Sequence, residues 1–133
     1  MGMSNRQRIA QILVALGCVI VLVGSGLHLG GGYPIISAAL AKSNLDDGIR
    51  NALRAVFLMI GMTWIVVALV TLIATFAITR TSKPVTLLCG FALLLQVPIW
   101  ADLMGWFVGN EMFLLGAGLI VSGGLLFRSW RSA

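Results

Sequence analysis

Charge is what this sequence has least of: Asp, Glu, Lys and Arg make up 10% of its 133 residues, while hydrophobic residues make up 59%. A soluble domain carries roughly 25% charged residues, so an ordinary water-soluble fold is disfavoured from the outset. Acids are the scarcer sign, four against nine Lys and Arg, which leaves a net charge of +5. Basic proteins that hold nucleic acid cluster their cations on water-exposed surface. Here the cations flank apolar runs instead, and they read as topology signals and contacts to anionic lipid, with no nucleic-acid partner.

Chemistry-bearing residues are few. With one histidine, the chain has no second imidazole for bis-histidine haem ligation. A pairing of His28 with Met59 or Met62 stays open, although methionine in a membrane helix ordinarily packs. Cys18 and Cys89, the only two cysteines, lie inside apolar runs and read as small core residues, not as a disulfide or a redox pair. No phosphate-binding glycine loop, His-Glu-x-x-His or Cys-x-x-Cys is present. The sequence therefore names no cofactor and no metal site.

What the sequence does have is long apolar runs. A hydrocarbon core about 30 Å thick needs roughly 20 apolar residues per helix, and four such runs nearly fill the chain. We expect an all-α, single-domain membrane four-helix bundle over residues 1–133, with helices near 9–29, 45–79, 85–107 and 111–130. The first run exceeds the usual signal-peptide core of about 7–15 residues and reads as a spanning helix. Gly30-Gly31-Gly32 should end it, and Pro34 should open a short interfacial helix reaching Lys42. Asn44 is expected to cap the next helix, with Asp46 and Asp47 in its first turn. Residues 80–84 form a polar turn, Pro98 interrupts the third run, and Gly109-Asn110 are expected to make the last turn before Glu111 opens the fourth.

Arg6, Arg8, Arg80, Lys83, Arg128 and Arg131 fall on one side of this topology without any acid. Lys42, Arg50 and Arg54 share the other with Asp46, Asp47, Asp102 and Glu111. By the positive-inside rule both termini are expected in the cytoplasm.

The same layout gathers polar groups toward the non-cytoplasmic face. His28, Asp102 and Glu111 are the candidate catalytic residues, since a histidine beside a poorly solvated carboxylate can exchange protons with a lipophilic substrate. Arg50 and Arg54, one turn apart, would clamp an anionic headgroup. Trp64 and Gln96 are deeper candidates for ligand contact, packing or an interhelical hydrogen bond. Gly17, Gly24 and His28 share one helix face by their spacing of seven and four, as do Glu111, Gly118 and Ser122, so both groups are expected to look into the bundle. A plainer reading stands beside each of these. Arg50 pairs with Asp46 or Asp47 at helix-surface spacing, Arg54 snorkels, Glu111 complements the helix dipole, and Trp100, Trp106 and Trp130 are interfacial belt residues.

In general appearance the chain is similar to small bacterial inner-membrane proteins. It lacks the glutamate in the first helix of small multidrug transporters, the Glu-Arg and Asn pattern of the eicosanoid and glutathione membrane enzymes, and the cysteine pairs of disulfide-generating membrane oxidoreductases. Its small size and 16 glycines favour an accessory or oligomer-forming subunit of a membrane complex. A binding protein or enzyme for a lipid-like molecule, using a polar site near the outer leaflet, is the second expectation. A proton-coupled transporter acting as an oligomer is the third.

Overall fold

Four helices long and apolar enough to cross a membrane dominate the computed structural model, which describes residues 4–77 and 81–127, apart from the side chains of Leu103 and Met104. Among the described residues there is no strand. The elements are α1 (Asn5–Leu27), a π-helical turn (His28–Gly32), α2 (Tyr33–Ala41), α3 (Asp47–Ala77), α4 (Ser82–Met104) and α5 (Val108–Leu126). Arg80, Arg128, Trp130 and Arg131 lie outside the described residues.

The starts of α1 and α3 each have a local cause. Ser4 caps α1, its Oγ accepting from the Gln7 N–H at 3.3 Å. The cap of α3 is Asp46, whose Oδ1 accepts from the Ile49 N–H at 3.0 Å, not Asn44 as expected. A carboxylate one residue before the helix satisfies an orphan N–H and also meets the positive end of the dipole.

The glycine triplet does not end the first helix. The backbone stays helical from Asn5 to Ala41, with one widened turn in which the Tyr33 N–H donates to His28 O. Glycine weakens a helix by about 0.5–1 kcal/mol, whereas a polar backbone group left unpaired in hydrocarbon costs several. The helix therefore persists through the triplet. The widening sits immediately before Pro34, which cannot donate to the carbonyl four residues back and whose ring needs room there.

The last turn also differs from expectation. Gly105, at φ 77°, makes the break, a left-handed conformation that glycine adopts without a Cβ penalty. Gly109 and Asn110 instead lie in the first turn of α5, where the Asn110 side chain donates to Gly105 O at 3.0 Å and holds the loop closed.

Glycines set how closely the helices pack. A Cβ on Gly17 would fall 2.5 Å from Gly116 O, and one on Gly123 would fall 2.7 Å from Ala10 O, so α1 and α5 touch backbone to backbone. Gly90 and Gly124 let α4 and α5 approach closely too, there mainly against the side chains of Val121 and Leu87. Without a hydrophobic driving force in lipid, this close van der Waals contact is what holds helices together. Ala10, Val14, Cys18, Val21, Ala117 and Ile120 complete the α1–α5 seam at 0–1% exposure. By contrast a Cβ on Gly118 would meet nothing within 4 Å. Glu111 and Ser122 are exposed as well, so that face points away from the bundle, contrary to its expected inward orientation.

Candidate functional site

An apolar cavity of about 320 Å³ lies at the end of the bundle where α1 finishes and α3 begins, lined by residues of all five α-helices. His28 enters it from the end of α1. The His28 Nε2 lies 3.1 Å from Phe57 O on α3. A carbonyl can only accept, so Nε2 carries the proton. The ring stacks on Phe57, with centroids 3.8 Å apart and planes 13° from parallel, and meets Trp64 edge-on at 4.8 Å. Gly61 makes this possible: a Cβ there would lie 3.0 Å from His28 Cδ2 and 2.5 Å from Leu29 Cδ2. Phe57, Gly61 and Trp64 follow a spacing of four and three, so one face of α3 supplies the stacking partner, the gap and the wall.

Trp64 links the site to α4 and α5. Its Nε1 donates to Gln96 Oε1 at 2.7 Å, and its ring packs on Phe113 at 4.1 Å and on Trp100 at 6.3 Å. Gln96 Nε2 donates to Ala92 O at 3.3 Å. The bond from Trp64 fixes the amide's orientation, with Oε1 toward the indole, and Nε2 keeps a second proton beyond the one given to Ala92 O. Phe107 closes the cavity from the α4–α5 loop, Asn110 from the first turn of α5, and Ile35 and Ile36 from α2. None of the described lining residues carries a carboxylate, an ammonium or a guanidinium.

Of the residues singled out from sequence, His28, Trp64 and Gln96 come together here. Asp102 and Glu111 do not. Both are exposed and neither lines the cavity; Glu111 accepts from Trp106 Nε1 at 3.2 Å in the α4–α5 region. The His28–carboxylate relay therefore has no geometric basis. Arg50 and Arg54 sit apart as well. Arg50 pairs with Asp47 at 2.6 Å, and Arg54 reaches Ser37 O at 3.2 Å, which ties α2 to α3. Met59 and Met62 are 66% and 53% exposed on the outer face of α3, turned from the His28 ring.

Sequence reading missed Phe57, Trp100, Phe113 and Asn110 as wall residues. Trp100 carried a signal in its spacing of four from Gln96, which puts both on one helix face, but an interfacial tryptophan gives the same pattern. Phe57 and Phe113 carried none, because their helices are apolar all round. Comparison with protein-family models, curated proteins and solved structures finds no match to this chain.

Proposed function

We propose that this chain is a multi-pass protein of a bacterial inner membrane that binds an uncharged, lipid-like molecule in the cavity between His28, Trp64 and Gln96, near the outer leaflet. One observation carries the reading. An aromatic-walled space large enough for a substituted ring is provided with a few fixed polar groups and no formal charge, the composition of a small-molecule site.

The orientation rests on charge. Six basic residues and no acid flank the end that holds both termini, which supports a cytoplasmic position for it. Length supports the placement of the cavity. The 37-residue α1–α2 rod would measure about 55 Å at about 1.5 Å per residue, well beyond a hydrocarbon core of about 30 Å. Its far end, α2, therefore lies at the outer interface. Lys42, Asp46 and Asp47 meet headgroups and water there, and the cavity mouth opens toward lipid.

The alternative reading, an accessory or oligomer-forming subunit, drew its support from glycine-rich helix faces. Gly17, Gly61, Gly90, Gly116, Gly123 and Gly124 all pack against other parts of the same chain, so ligand binding is placed ahead of it.

The test uses 1-bromo-4-dodecylbenzene, whose bromine quenches tryptophan on contact, with the protein in nanodiscs. Saturable quenching that reaches one probe per chain, and that disappears when Trp64 and Trp100 are both replaced by Phe, is the expected result. Quenching that rises linearly with probe in the lipid, with no saturable component, would refute the assignment.

A further inference from the structure

The hydrogen-bonding state of the wall identifies the kind of head the ligand carries. His28 gives its Nε2 proton to Phe57 O, and the ring makes no other hydrogen bond among the described residues. No acidic side chain among the described residues lines the cavity to hold an imidazolium, so the ring is neutral and its Nδ1 is an acceptor. Gln96 is fixed in the opposite sense, its Oε1 engaged by Trp64 and its Nε2 left with a second proton beyond the one given to Ala92 O.

We infer that the cavity takes a ring bearing a hydroxyl group, a phenol or ring alcohol on an apolar tail, whose O–H donates to His28 Nδ1 and whose oxygen accepts from Gln96 Nε2. This rests on the ligand-binding reading above and narrows it to a chemical class. A hydroxyl is the smallest neutral group that both donates and accepts. A carboxylate or phosphate would enter a wall without a countercharge. An ether or ketone would satisfy Gln96 and leave His28 Nδ1 without a donor. The flat rings of Phe57, Trp64 and Phe113 favour a flat partner through offset or edge contacts.

The experiment compares 4-dodecylphenol with its methyl ether, 4-dodecylanisole, in nanodiscs, each displacing the brominated probe. The two share ring and tail and differ in the ability to donate. We expect the phenol to bind about tenfold more tightly, as one net hydrogen bond in a desolvated site provides. Replacing His28 by Phe, which keeps a stacking ring and removes the acceptor, should make the two ligands equal by weakening the phenol alone.

A second readout needs no variant. The sole histidine gives one pair of imidazole 15N signals in protein purified without a histidine tag. The phenol should shift the unprotonated Nδ1 signal, and the anisole should leave it in place. Equal affinity of the two ligands for the native protein, or an Nδ1 signal indifferent to the phenol, would overturn the inference while leaving the cavity as a binding site. Failure of both ligands to displace the probe would overturn the inference too, and failure of the probe itself to saturate would remove the site on which it rests.

Discussion

Replacing Gln96 by Leu should destabilise the bundle through Trp64, and by an amount that can be bounded. The indole N–H of Trp64 sits 2.7 Å from Gln96 Oε1, and the tryptophan is only 6% exposed. Interhelical side-chain hydrogen bonds in membrane proteins contribute about 0.6 kcal/mol on average and about 1.7 at most. Leaving a buried donor unpaired costs about 1–3 kcal/mol. The leucine side chain would restore some packing but offers no acceptor, which places the loss at about 1–2 kcal/mol. The assay is unfolding by SDS in mixed micelles, followed by far-UV circular dichroism so that changes at tryptophan do not distort the signal. Trp64→Phe and the double variant complete a cycle. With the N–H already gone, Gln96→Leu should cost little, giving a coupling of about 1 kcal/mol, where independent sites would add to within about 0.3–0.5. Additive losses, or a Gln96→Leu protein as stable as the native one, would refute the idea that this bond ties α3 to α4.

Gly17→Leu should cost about 1–3 kcal/mol in the same unfolding assay, because the new Cβ meets backbone and α1 must part from α5; Gly118→Leu, on an open face, should leave the midpoint unchanged. Asp102→Asn and Glu111→Gln should leave the affinity for 4-dodecylphenol unchanged, since both carboxylates are exposed and away from the cavity wall. A loss of binding in either would bring the carboxylates back into the site.

The helices were legible because hydrocarbon demands long apolar runs, and several of the residues that interrupt those runs mark a helix end or a polar side chain with a partner. Gln96 is such a residue. An amide in the middle of an apolar run must find a hydrogen bond, and Trp64 supplies it. His28 was legible for a related reason, since Gly17 and Gly24 mark the face of α1 that another helix approaches.

The rest of the site was hidden by uniformity. In a soluble helix the buried face shows as an apolar stripe. Phe57 and Phe113 lie in helices apolar on every side, so nothing in the pattern separates wall from lipid face. Gly61 looks like any other glycine until Leu29 and His28 are seen resting where its side chain would be. The carboxylates misled in the opposite way. Asp102 and Glu111 were expected at the membrane level of His28, but a helix end has both an inner and an outer side, and level alone does not choose between them. The glycine triplet misled because water-soluble experience treats it as a breaker, whereas in lipid the unpaired backbone it would leave is the costlier outcome.

The most direct test is to observe where the ligand sits. Intermolecular nuclear Overhauser effects between 4-dodecylphenol and selectively labelled protein in nanodiscs should connect the phenol ring to the Trp64 indole and the rings of Phe57 and Phe113. Contacts confined to outward-facing residues such as Ile12, Leu16, Ile73 and Leu88, as for any solvating chain, would contradict a binding site between the helices.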